Sequence, residues 1–179
     1  MSDSDILQKI KEDKSKYVLF YRKYVNKIFK YSYYKLNCNK QDAEDVTSEV
    51  FLSTLEKIEN ITTEGADWTV LPYLYITAKN IIIRRWNKTN RTVEISEYIE
   101  DNFSDNEDFT KEILDQYSAE EILKIVAKFD SESTDVLYLK IYEDYTFAQI
   151  SELLHISESA VKMRYYRIVA NVTNLLKKV

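Results

Sequence analysis

Residues 146–167 read TFAQISELLHISESAVKMRYYR and carry two helix starts, at Thr146 and at Ser157. Thr146 and Gln149 have the spacing of a capping box, in which the Thr146 hydroxyl accepts from the Gln149 backbone N–H and the Gln149 side chain reaches back. Tyr145 and Ile150 stand where a hydrophobic staple closes over such a cap. The pattern predicts a helix from Phe147 to about Leu154 that buries Ile150, Leu153 and Leu154. Ser157 is the next N-cap, with Ile156 and Val161 as a second staple, and a helix from Glu158 buries Val161, Tyr165 and Ile168. Two helices joined by Leu154-His155-Ile156-Ser157 make a helix-turn-helix. Ser159, Lys162, Met163, Tyr166 and Arg167 then point away from the buried stripe. Hydroxyl, cationic and apolar groups near a helix N-terminus suit contact with base edges and phosphates. The alternative is a helical hairpin whose polar face meets only water. The two caps, the short turn and a second helix free of acids from Ser159 onward favour nucleic acid.

The composition of the 179-residue chain agrees with an all-α fold. It has one Gly (Gly65) and one Pro (Pro72), and tight hairpins need residues at positive φ, so a sandwich or barrel is not expected. Gly-rich phosphate loops are excluded. One His (His155) and one Cys (Cys38) leave no zinc cluster, disulfide or Cys–His nucleophile pair, so no metal, cofactor or enzymatic activity is expected. His155 lies in the connection between the two helices and, as His is among the non-Gly residues enriched at positive φ, reads as a turn residue and not a catalyst. No apolar run reaches the roughly 20 residues of a membrane span, and Met1 to Asp13 is too polar for a leader, which points to the cytoplasm and away from a membrane.

The formal net charge of −5 is unevenly placed. Residues 1–92 carry 16 basic and 12 acidic side chains, residues 93–112 carry 1 and 8, and residues 113–179 carry 8 and 10. The middle stretch has the composition of a solvated linker. The expected organisation is therefore two small helical domains, 1–92 and 113–179, joined by an acidic flexible linker, 93–112. Its charge is expected to mask basic helix faces in the free protein. Two segments are purely basic: Lys79 to Arg91, and Ser159 to the C-terminus. One basic segment in each domain favours a double contact with phosphate backbone.

In the first domain, Asp42 to Leu52 predicts an amphipathic helix. Ala43, Val46, Val50, Phe51, Leu55 and Ile58 form the buried side, and Asp45, Ser48, Glu49 and Glu56 lie opposite. A second helix starts near Pro72, where a missing N–H costs little, and buries Leu74, Ala78, Ile81 and Ile82. Tyr73, Thr77, Asn80, Arg84, Lys88 and Arg91 follow one another on another face. Aromatic, amide and basic groups on one ridge suit single-stranded DNA: a ring stacks, an amide reads an edge and cations hold phosphate. Between the helices lies a loop with Gly65, which fits a position at positive φ, and Trp68, a Trp beside a helix start being often a core plug. Tyr17, Phe20, Tyr21, Tyr24, Ile28, Phe29 and Tyr31 form an earlier helical stripe, expected to be core.

These strings resemble the bacterial RNA polymerase sigma factors of the sigma-70 family, in their extracytoplasmic-function type. Phe147, Ile150, Leu154, Ile156, Ser157, Val161, Lys162 and Arg164 stand in register with Y/F-x-x-I-A-x-x-L-G-I-S-x-x-T-V-K-x-R. Asp42 to Leu52 resembles A-E-D-L-V-Q-E-V-F-L, and Pro72 to Arg84 resembles W-L-Y-x-I-A-R-N-x-x-x-D. His155 replaces the turn Gly, Ala160 the common Thr, Tyr73 the Trp, Arg84 the Asp, and Phe129-Asp130 the usual Leu-Pro. The resemblance implies that core polymerase is the partner, held at the β′ clamp helices through Asp45, Ser48, Glu49 and Phe51 and also at the β flap. Phe51 reads equally as core. It further implies −10 promoter contacts by Trp68, Tyr73, Thr77, Asn80, Arg84, Lys88 and Arg91. Contacts to the −35 element would come from Ser159, Lys162, Met163, Arg164, Tyr166 and Arg167. The acidic linker would thread toward the RNA channel, and an anti-sigma factor is a further partner of the type. The rival readings are a helix-turn-helix repressor or activator acting without polymerase, and an adaptor or anti-sigma-like interaction module.

Overall fold

A computed structural model describes residues 2–61, 70–88, 117–127, 129 and 131–176. The loop with Gly65 and Trp68, Arg91 and the acidic stretch 93–112 lie outside these residues. The chain divides into two compact units, Met1–Arg91 and Thr92–Val179. The described residues hold helices and turns and no strand.

The first unit contains α1 (Asp3–Glu12), α2 (Tyr17–Lys35), α3 (Lys40–Glu56) and α4 (Leu71–Lys88). Helix α1 occupies the stretch read from sequence only as too polar for a leader. It begins in a capping box, Ser2 Oγ accepting from Asp5 N–H and Asp5 Oδ2 from Ser2 N–H, and buries Ile6, Leu7 and Ile10. On α2, Phe20, Tyr24, Ile28 and Tyr31 recur every three or four residues and are buried. Tyr21 departs from the expected core. One residue past Phe20 turns it about 100° round the helix, leaving it 43% exposed with its ring edge against Phe51.

Asn37 and Cys38, both at positive φ, reverse the chain into α3 without a glycine, and Asn39 caps the new helix by accepting from Asp42 N–H. Helix α3 buries Ala43, Val46, Val50 and Phe51 as expected, and also Thr47 and Thr54. The two threonine hydroxyls donate to Ala43 O and Val50 O at 2.7 Å, so the stripe accepts them much as it would valine. Leu55 is only half-buried, and Ile58 is buried in a 3-10 turn beyond the helix. In α4, Pro72 is the second residue and Leu74, Ala78, Ile81 and Ile82 are buried with Leu71 and Tyr75.

Asp3 ties these elements together. Its buried carboxylate accepts from Lys23 Nζ at 2.6 Å, from Tyr24 OH, and from Val70 N–H at 2.8 Å, just ahead of α4. Burial alone would push this carboxyl up, but the three donors together bring it below its ordinary value.

The second unit contains α5 (Ala119–Val126), α6 (Ser131–Tyr142), α7 (Phe147–Leu154) and α8 (Glu158–Leu176). Ser118 and Glu121 form a capping box at α5. Val136, Leu137, Tyr138 and Leu139 are buried in succession, so the middle of α6 is enclosed on all sides. The Thr146–Gln149 box forms, with 3.2 Å from Gln149 N to Thr146 Oγ1 and 2.8 Å from Thr146 N to Gln149 Oε1. Ile150 and Leu153 are buried while Leu154, at the helix end, is half-buried. His155 adopts φ 55°, ψ 40° and its N–H donates to Ser151 O, closing α7 in a left-handed cap. A side chain there carries steric strain that glycine lacks, partly offset by glycine's freer unfolded chain. His155→Gly should therefore stabilise the chain by about 0.5 kcal/mol or more, measured by urea denaturation followed by circular dichroism. A loss of stability would contradict the strain.

Candidate nucleic-acid interface

The buried stripe of α4 dictates what its other face presents. With Leu74, Ala78, Ile81 and Ile82 inward, Asn80, Arg84 and Lys88 are exposed and Tyr73 and Thr77 half-buried, forming one ridge along the helix. The Thr77 hydroxyl is held to its own helix, donating to Tyr73 O at 2.8 Å. An open groove of about 590 Å³ runs beside the ridge, between α4 and α3, walled by Tyr73, Thr77 and Asn80 on one side and Leu52 and Glu56 on the other. Trp68 and Arg91, expected on the same surface, fall outside the described residues.

The outer face of α3 is split. Asp45 and Ser48 are exposed, the Ser48 hydroxyl donating to Glu44 O at 2.9 Å. Glu49 is partly covered because its carboxylate bridges two cations of α4: one oxygen accepts from Arg84, the other from Arg85 at 2.9 Å. Two residues assigned from sequence to different partners, Glu49 and Arg84, are therefore partners of each other. Phe51 does not lie on this face. It is 3% exposed, its ring packs edge-on against Phe20 and Tyr21, and its carbonyl accepts from Tyr17 OH at 2.6 Å. Burial, and then the nearby Tyr73, push the Tyr17 phenol far above its usual range, so it stays a donor. The apolar residue on the outer face is Leu52, 63% exposed, which the sequence reading left unassigned. It lies about 170° round the helix from the middle of the buried stripe, a signal the 100° step per residue contains.

In the second unit the helix-turn-helix exposes Ser159, Lys162 and Met163, the last 49% exposed, with Tyr166 and Arg167 half-buried beside them. Ser157 Oγ accepts from Ala160 N–H at 3.2 Å and lies 3.0 Å from the Ser159 hydroxyl, so both sit at the open N-terminus of α8. The Lys162 ammonium pairs with Glu158 at 2.9 Å and lies 5.8 Å from the Phe147 ring centre, with Lys140 5.0 Å from the same ring. Arg164 is off the ridge. It turns toward α6 and pairs with Glu132, so here it braces α8 against α6. Among the described residues no group of His, Cys, Asp or Glu is arranged to hold a metal ion, and no helix is long and apolar enough to cross a membrane.

Comparison with known proteins divides the chain in the same place. The family pattern described as Sigma-70 region 2 matches residues 20–92, and that described as Sigma-70, region 4 matches residues 119–172. The chain is similar to the ECF RNA polymerase sigma factor BldN of Streptomyces coelicolor, 25% identical over 158 residues, which cover 87% of this chain. It spans 58% of the length of that relative. A solved structure titled as the RsbN–BldN complex aligns with a TM-score of 0.40 and 18% identity, covering 95% of this chain and 98% of the other. With a region 2 match over the unit that carries the α4 ridge and a region 4 match over the helix-turn-helix, the chain belongs to the sigma-70 family of RNA polymerase sigma factors, in its extracytoplasmic-function type.

Proposed function

We propose that the chain is a sigma factor acting in the cytoplasm, which binds core RNA polymerase and directs promoter-specific initiation. Helix α8 reads the −35 element as duplex in the major groove, with Ser159, Lys162, Met163, Tyr166 and Arg167 as its contact residues. Arg164 contributes mainly by bracing the helix. The α4 ridge of Tyr73, Thr77, Asn80, Arg84 and Lys88 holds the −10 element as it opens, with Trp68 and Arg91 as further contact residues. Asp45, Ser48, Glu49 and the exposed Leu52 engage the β′ clamp helices, the second unit meets the β flap, and an anti-sigma factor is a fitting regulator. The protein makes no bond itself: polymerase supplies the chemistry, and ordered DNA contacts offset the cost of strand opening.

The observation that carries the reading is the pairing of two differently built surfaces, one per unit. One is a stacking-and-phosphate ridge and the other a capped helix-turn-helix. Reconstitution with bacterial core polymerase tests it, using templates with randomised −35 and −10 elements. Promoter-specific starts that need both proteins are expected. Tight duplex binding without core and without directed starts would instead favour the repressor or activator reading.

The Glu49 bridge predicts a linked effect. Glu49→Gln should free Arg84 and raise polymerase-free affinity for a single-stranded oligonucleotide about two- to fivefold at low salt, the range for one partly exposed ion pair. Glu56→Gln removes an equal charge from the same groove without touching that bridge. Equal gains from both variants in a fluorescence anisotropy titration would reduce the effect to net charge.

A further inference from the structure

Helix α1 reaches both ends of the connection between α3 and α4. From its last turn, Lys11 Nζ donates to Ile61 O at 3.1 Å, where the described chain leaves the 3-10 turn after α3. From its first residue, the Asp3 carboxylate accepts from Val70 N–H at 2.8 Å, where the chain enters α4. The two side chains leave α1 eight residues apart, about 12 Å along its axis. The Asp3 end is backed up. Lys23 and Tyr24 of α2 hold the Asp3 carboxylate from behind, and Ile6, Leu7 and Ile10 anchor the span between them in the core. The Sigma-70 region 2 match begins at residue 20, so α1 lies outside it.

Asp3 in the first turn and Lys11 in the last suit the dipole of α1, but that role needs no partner, and here each side chain is also spent on a backbone group of a distant segment. The residue first affected is Val70, three positions before Tyr73, which opens the α4 ridge. We propose that α1 is a strap that sets the start of α4 against the end of α3, with Asp3 and Lys11 as positioning residues for strand opening. The proposal rests on the reading of the α4 ridge as the −10 contact. Neither residue need touch DNA. Their effect passes through Val70 and Ile61 to the placement of Tyr73 and the groove beside it. Docking on polymerase, through the outer face of α3, does not depend on the strap.

Lys11→Met keeps the aliphatic stem and removes the donor, on a side chain exposed enough for the fold to survive. In holoenzyme on a template selected by the wild-type protein, core affinity should stay within about twofold. Strand opening, read by 2-aminopurine fluorescence in the −10 element, should fall about two- to tenfold, the range of one net hydrogen bond. Lys11→Arg should restore it. In the free full-length protein, Asp3→Asn should speed hydrogen exchange at the Val70 amide, and Lys11→Met should not. Unchanged opening in Lys11→Met, equal losses of opening and core affinity, or unchanged Val70 exchange in Asp3→Asn would each overturn the strap. A wild-type holoenzyme that opens no template overturns the underlying reading and the strap's role with it. That outcome is distinct because the wild type is then itself inactive.

Discussion

Phe51→Ala should cost the first unit about 3–5 kcal/mol, the usual loss for a buried aromatic ring, while Leu52→Ala beside it should change stability by no more than about 0.5 kcal/mol. The contrast follows from packing. Phe51 fills the space between Phe20 and Tyr21, and truncation leaves a cavity that the Tyr17–Phe51 backbone bond helps hold open. Leu52 touches solvent over most of its surface. The roles should reverse in binding. Leu52→Ala should weaken core polymerase by about 1 kcal/mol or more, as apolar anchors of an interface do. Both tryptophans, Trp68 and Trp86, belong to the first unit. Urea titration followed by tryptophan fluorescence therefore reports its stability alone, and a core-binding titration gives the other half. A stable Phe51→Ala protein that fails to bind core would move Phe51 back to the interface.

The second large effect is at Asp3. Asp3→Ala removes the carboxylate that accepts from Lys23, Tyr24 and the Val70 N–H and should destabilise the first unit by about 3 kcal/mol. The low end of the range for breaking a buried pair applies because Lys23 is partly exposed and can turn to water. The pH dependence has a definite sign. The folded carboxyl lies below its ordinary value of 3.8, so the unfolded chain binds the proton more tightly and acid favours unfolding. This part of the stability is complete above about pH 5 and is lost as pH falls through the folded-state value. The Asp3→Ala protein should therefore lose less stability between pH 5 and pH 3 than the wild type in paired urea titrations. Parallel acid profiles would contradict the assignment.

Much of the architecture was legible because it is local. Capping boxes, turn residues and i, i+4 stripes depend on neighbours in sequence, and the two helices of the helix-turn-helix and the buried side of α4 follow from them. Helix α1 carries the same signals, Ser2 facing Asp5 and Ile6, Leu7 and Ile10 in step, but they lie within a segment weighed only for overall polarity. What local pattern could not supply was pairing across helices. Nothing in the periodicity of α3 or α4 joins Glu49 to Arg84, or of α8 joins Arg164 to Glu132, since those meetings are fixed by which helices pack together. Phe51 and Leu52 show the boundary most directly. They are adjacent and both apolar, and their faces are decided by where the middle of the α3 stripe falls, which Thr47 and Thr54 shift by being buried.

The internal ion pairs change what ionic strength should do to this protein. Arg84, Arg85, Lys162 and Arg164 already face carboxylates of their own chain. Moving such a cation onto a phosphate expels a condensed counterion from DNA but leaves behind a bare carboxylate that recruits one from solution. The net ion release is then smaller than the number of basic residues in the two acid-free segments suggests, and the plot of log affinity against log salt should be correspondingly shallow. A binding surface wired in this way keeps more of its grip when the cell's salt rises, at the cost of a weaker pull at low salt.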